Sequence, residues 1–185
     1  LTTRPRPGAV RPAPFRLDHW RQPSPDAYRA LFRRVGAPWL WFSRLIVDDQ
    51  ALVAILDEPR REVHVVRDRH AIEVGFVELD FQGDGVALIS YFGIIPELTG
   101  RGVGGWLMAH SLALAWRPGV ERVRVNTCTL DHPSALGFYR RHGFVAVGRA
   151  VERFPDPRLA GLIAEDQAPH IPIIRPTTRP IIRAD

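Results

Sequence analysis

The residues Pro96-Glu-Leu-Thr-Gly-Arg-Gly-Val-Gly-Gly105 place glycine at 100, 102, 104 and 105, in the middle of the chain. They follow an apolar run, Val86 to Ile95, that reads as a strand covered on both faces, and they open a stretch of good helix formers, Val103 to Trp116, that reads as a buried helix. Where a strand turns into a helix, free backbone N–H groups and the positive end of the helix dipole converge on one point, which suits an anion. Glycine permits the tight turn and keeps Cβ atoms out of a ligand's way, and Arg101 adds a formal charge. The competing reading is a tight junction with no ligand. Other phosphate motifs fit worse. A P-loop ends in Gly-Lys-Ser/Thr, and this chain has no lysine; a dinucleotide fingerprint belongs near the first strand.

A second segment, Asp131-His-Pro-Ser-Ala-Leu-Gly-Phe-Tyr-Arg-Arg-His-Gly-Phe144, reads as a short helix from Ser134 to His142 closed by Gly143. Together with Ile94-Ile95-Pro-Glu-Leu-Thr-Gly-Arg-Gly-Val-Gly104 it resembles the two signatures of the GNAT superfamily of N-acetyltransferases. These are an acetyl-CoA turn and a last helix in which an alanine, a tyrosine and a Gly-Phe pair recur at this spacing. The resemblance spans residues 86 to 148. It implies an α/β fold, a GNAT-like mixed central β-sheet flanked by helices in a single domain. It also implies transfer of an acetyl group from acetyl-CoA to a primary amine, small molecule or protein, by direct attack in a ternary complex, with no metal. Ile94 and its neighbours Phe92 and Ile95 would hold the pantetheine arm. Thr99, Gly100, Arg101, Gly102, Val103, Gly104 and Gly105 would cradle the pyrophosphate, and Tyr139 would protonate the departing thiolate. Two positions depart from the family pattern: Thr99 stands where Gln or Arg is usual, and His132 where Asn is frequent. Arg101 is placed to take over the first role, and His132 to hydrogen-bond the pantetheine or a water.

An alkylammonium near pKa 10 is almost fully protonated at pH 7, so an amine acceptor must lose a proton before it attacks. Glu78, near the end of the strand before the central one, is the first candidate base, Glu97 the second and Glu73 the third. The acceptor is expected over the loops between Trp20 and Leu56, where Trp39, Trp41 and Phe42 form an aromatic cluster. These rings either recognise an apolar or cationic amine or pack the first helix on the sheet. Pro155-Asp-Pro-Arg158 and His170 either close the site or wrap it.

The elements that would position these groups alternate along the chain. Strands are expected at Phe15–Trp20, Glu62–Arg67, Ala71–Leu79, Val86–Ile95, Arg122–Thr127 and Phe144–Phe154. A helix is expected from Ser24, Pro25 and Asp26 to Val35, and another from Asp48 to Leu56. The 185 residues carry 25 basic groups, all arginine, against 20 acids, a net charge of +5. Residues 1–13 and 171–185 account for all of it, and a neutral domain between them argues against a nucleic-acid partner. Residues 1–13 are read as a Pro/Arg-rich tail, 14–158 as the catalytic domain and 159–185 as a Pro-rich extension that wraps or oligomerises. Ile171–Ile174 and Ile181–Ile182 are candidates for a homodimer contact. The lone Cys128 is expected to be a small buried residue. No apolar run reaches the roughly 20 residues of a membrane span and residues 1–13 lack the core of a secretory signal, so a cytoplasmic location is expected. The rival readings are a catalytically silent acyl-CoA-binding module and a tail-mediated nucleic-acid binder.

Overall fold

A computed structural model describes residues 1–5 and 13–175; Arg6, Arg11 and Ile181–Ile182 lie outside them. The elements are β1 (Arg16–His19), α1 (Pro25–Gly36), α2 (Asp49–Leu56), β2 (Arg61–Arg67), β3 (Glu73–Gly83), β4 (Val86–Ile94), α3 (Val103–Ala115), β5 (Arg122–Val125) and α4 (Ala135–Arg141). Local chemistry sets their ends. Ser24 Oγ accepts from the Ala27 N–H at 3.3 Å, and Asp48 Oδ1 from the Ala51 N–H at 2.8 Å, which caps α1 and α2. Gly83 pairs with Val86 across Asp84-Gly85, both at positive φ, the turn an Asp-Gly pair favours in a hairpin.

The strands form one sheet in the order β1-β2-β3-β4-β5, antiparallel except for the parallel pair β4 and β5. This is the mixed α/β architecture the sequence led us to expect. Both faces of the sheet are covered, which is why β4 reads as an apolar run rather than an alternation. Val77, Leu79, Phe81, Ala87 and Ile89 pack under Leu107, Met108 and Leu112 of α3. On the other face Val63, Val65 and Phe76 meet Tyr28, Phe32 and Val35 of α1 and Leu52 of α2.

The approach of α1 to the sheet depends on two glycines. A methyl group at Gly93 would overlap the Val35 side chain and stand 3.1 Å from the Trp41 ring, and one at Gly36 would stand 2.6 Å from Trp41 Cβ. Gly93→Ala is therefore expected to destabilise the fold by about 1–3 kcal/mol through overpacking. The check is the urea midpoint, and an unchanged midpoint would contradict this packing.

Two expectations fail. Residues 144–154 form no strand: among the described residues they have no ladder partner, and Val145, Val147 and Val151 are 74, 88 and 94% exposed. Alternation makes a strand only where one face finds cover, and here only the ends do, Phe144 on Tyr139 and Phe154 on Phe42. Cys128 is exposed, not buried. It sits in the polar turn after β5, its N–H donating to Asp131. No helix among the described residues is long and apolar enough to cross a membrane.

Candidate functional site

The sheet opens where the sequence places its chemistry. β4 pairs with β5 only from Val86↔Arg122 to Ile89↔Val125, yet β4 continues to Ile94. Beyond Ile89 its outer edge faces a gap. The register with β3 also breaks here, passing from Glu78↔Tyr91 to Leu79↔Ile89, so Ser90 is an extra residue that bulges β4 at the start of the gap. The Ile95 N–H donates to Val74 O at 2.9 Å, on the β3 side. Backbone groups alternate along a strand, so the N–H groups of Ile94 and Phe92 point the other way, into the gap. The Phe92 and Ile94 side chains pack on the α3 side.

Beyond Ile95 the chain makes a short 3-10 turn, Pro96–Leu98, and enters α3 through Gly100 and Gly102 at φ +78° and +81°. These are left-handed conformations that favour glycine. Gly102 caps α3 without a side-chain bond. The amide N–H groups of Gly100, Gly102, Val103, Gly104 and Gly105 have no acceptor among the described residues; the first bond of the helix is Trp106 N–H to Gly102 O at 3.2 Å. A Cβ at Gly100, Gly102 or Gly105 would meet nothing within 4 Å, whereas Gly104 lies against the Phe138 ring of α4 at 3.6 Å. Five N–H groups without an acceptor thus gather at the positive end of a 13-residue helix, and Gly100, Gly102 and Gly105 among them border open space. Thr99 and Arg101 are exposed beside them.

α4 closes the far side of the gap. Tyr139 is 9% exposed and packs against Phe92, Phe138 and Phe144, with ring centroids 6.4, 5.6 and 5.8 Å away. Burial, with the Asp131 charge adding to it, raises its phenol well above the usual value, so the hydroxyl stays protonated through the neutral range. The turn from β5 into α4 is held by Asp131, which accepts from Thr127 Oγ1 at 2.8 Å and the Cys128 N–H at 2.9 Å. His132 Nδ1 accepts the Ser134 N–H at 3.1 Å. That bond leaves Nε2 as the protonated nitrogen of the neutral ring.

The sequence profile of the Acetyltransferase (GNAT) family matches residues 17–144. The chain belongs to the GNAT family of acetyltransferases. Solved structures agree at the level of the fold. A GNAT family acetyltransferase from Streptococcus pneumoniae is 18% identical with TM-score 0.54, over 75% of this chain and 98% of its own. An aminoglycoside acetyltransferase from an uncultured soil metagenomic sample is 19% identical with TM-score 0.60, over 76% and 95%. An acetyltransferase from Trypanosoma brucei is 16% identical with TM-score 0.56, over 76% and 99%. No curated protein sequence matches the chain.

In this GNAT chain the three carboxylates nominated by sequence are not equivalent. Glu78 is fully buried on the α1 side of β3. Its Oε1 accepts from Arg44 Nη2 at 2.7 Å and from Arg61 Nη1, and its Oε2 from the Tyr28 hydroxyl at 2.8 Å. Burial pulls the Arg44 guanidinium down, but Glu78 outweighs it and raises its pKa overall. Both Glu78 oxygens are thus engaged by donors of the fold. Glu73 is paired with Arg67 at 3.2 Å. Glu97 is exposed on the turn leaving β4 and has no cation against it among the described residues.

The aromatic cluster divides. Leu40, at φ +55°, reverses the chain between the two tryptophans. Trp41 packs inward on Phe32, Phe76 and Tyr91. Trp39 turns outward, with its ring centroid 5.2 Å from that of His132 and 5.6 Å from that of His170. The sequence held no sign of the Ser90 bulge or of these His–Trp contacts.

Proposed function

We propose that this GNAT protein is an N-acetyltransferase that moves an acetyl group from acetyl-CoA to a primary amine by direct attack in a ternary complex. The observation that carries the reading is the set of five N–H groups without an acceptor at the start of α3, three of them on glycines that border open space, in the turn that directly follows the end of β4 beside its gap with β5. A diphosphate fits such a cradle. In this reading Gly100 to Gly105 and Arg101 hold the pyrophosphate, and the N–H groups of Phe92 and Ile94 hold the pantetheine arm. Bound acetyl-CoA supplies the activated acyl carbon. The Ile94 N–H is a donor for the thioester oxygen, where negative charge develops as the amine nitrogen bonds to the carbonyl carbon. As the C–S bond breaks, the Tyr139 hydroxyl keeps its proton and holds a hydrogen bond to the sulfur, on which charge builds as CoA leaves as the thiolate. Among the nominated carboxylates Glu97 alone lacks an arginine partner, and we assign it the amine proton, through water. Glu78 serves in this scheme as an anchor.

Calorimetry with CoA tests the cradle, and release of CoA from acetyl-CoA with added amines tests the transfer. A Gly105→Glu variant sharpens the first test because its two effects have opposite signs. A glutamate in the first helical turn favours the dipole and should raise stability by about 0.3–1 kcal/mol. A second negative charge within about 5 Å of a diphosphate should weaken CoA binding by about tenfold. Equal affinity for variant and wild type would remove the diphosphate from this turn. Heat with CoA but no turnover of any amine would make the chain a silent acyl-CoA-binding module.

A further inference from the structure

The segment that follows α4 lies beyond the family match, which ends at residue 144, and it packs onto the loop between α1 and α2. Ile163 and Ala168 form a buried cluster with Leu40, and Phe42, Leu45, Leu130 and Ile171 pack around it. Phe154 lies on Phe42 with ring centroids 4.8 Å apart. The segment is held in shape by Arg158, 3% exposed. This side chain grips both oxygens of Asp156, at 3.0 and 2.7 Å, and donates from Nη1 to the carbonyls of Gln167, Ala168 and Ile171 at 3.0 to 3.1 Å. Such a set of bonds to three carbonyls and one carboxylate makes a defined loop of a stretch without helix or strand. At its end His170 meets Trp39, and Trp39 also meets His132, from the turn between β5 and α4. Trp39 therefore stands between the α1–α2 loop, the C-terminal segment and the turn that follows the parted end of β5.

We propose that residues 154–171 form the outer wall of the acceptor site, and that Trp39 and His170 select a primary amine carrying an aromatic or apolar group in preference to a polycation. The inference rests on the acetyl-transfer reading above. Phe154 and His170 set rings at the wall beside Trp39, and Phe154 and Leu159 still expose 38% each, which leaves apolar surface for a ligand to cover. A polycation needs countercharges. Two of the three acids of the segment are already answered by arginine, Asp156 by Arg158 and Glu165 by Arg175 at 2.6 Å, and Glu78 behind the loop is held by Arg44 and Arg61, so Asp166 alone of the segment's acids has no arginine against it among the described residues. An apolar group asks only for the surface the wall presents.

The test compares 2-phenylethylamine with spermidine as acceptors for the full chain, following CoA release, with acetyl-CoA affinity measured by calorimetry. 2-Phenylethylamine is expected to have a kcat/KM at least tenfold higher. Trp39→Ala should raise KM for 2-phenylethylamine about tenfold while kcat and acetyl-CoA affinity stay within twofold, and His170→Ala, at an exposed position, should act in the same direction with the fold intact. A preference for spermidine, or KM values that neither substitution moves, would overturn the assignment. So would a chain that binds acetyl-CoA and turns over neither amine. An absence of heat with acetyl-CoA would instead remove the transferase reading beneath it.

Discussion

Tyr139→Phe should lower kcat by about 10²-fold, the lower end of what a positioned proton donor contributes, while CoA affinity and thermal stability stay near wild type. The substitution removes one oxygen and leaves the ring in its packing with Phe92, Phe138 and Phe144. The hydroxyl makes no hydrogen bond among the described residues, so its loss leaves no buried partner unsatisfied. The size of the effect follows from the direction of its pKa. A phenol raised by burial is a weaker acid than a thiol near 8.5, so its full proton transfer to a thiolate runs uphill. Tyr139 acts chiefly by holding a hydrogen bond to sulfur while the C–S bond lengthens. Two outcomes therefore belong together: the drop in kcat, and a wild-type pH profile with no loss of activity near pH 10 from ionisation of this residue. An unchanged kcat in the variant would leave Tyr139 as a core residue.

Most of the scaffold was legible because its ends are written in short-range chemistry. Ser24, Asp48 and Asp84-Gly85 each act on backbone groups within a few residues, so a reader of the chain sees both partners at once. The turn from Pro96 to Gly105 was legible for the same reason: its donors and the helix dipole are consecutive. What escaped is long-range or depends on absent cover. The partners of Glu78 lie 17, 34 and 50 positions away in sequence, so a lone acid in a strand looked like a free base. Residues 144–154 alternate as a strand does, but alternation does not say whether a neighbour exists to hide one face. Trp39 and Trp41 looked like one cluster because the reversal at Leu40 is left-handed at a residue that gives no sign of it.

The paired arginines make Glu78 the residue whose removal should cost the most stability. Glu78→Gln takes the one negative charge from between Arg44 and Arg61, whose side chains are 14 and 15% exposed, and leaves Asp80, 2.9 Å from Arg61 Nη2, as the remaining acid of the group. Breaking a buried pair from one side costs about 3–5 kcal/mol, because the surviving charge keeps its desolvation penalty and loses its compensation. Against a total of about 5–15 kcal/mol for a domain of ordinary stability, the variant should remain folded at 25 °C with a much lower urea midpoint. The double variant Glu78→Gln/Arg44→Met should recover part of the loss, since it also removes one of the orphaned cations. The pattern separates an anchor from a base. An anchor gives a large stability loss, partial rescue by the second substitution, and a residual kcat that tracks the folded fraction. A catalytic base gives the reverse: near-normal stability, a fall in kcat of about 10²-fold or more, and no rescue. Because Arg44 belongs to the α1–α2 loop, an anchor also predicts faster amide exchange in residues 43–47 of the single variant, where that loop loses its hold on β3.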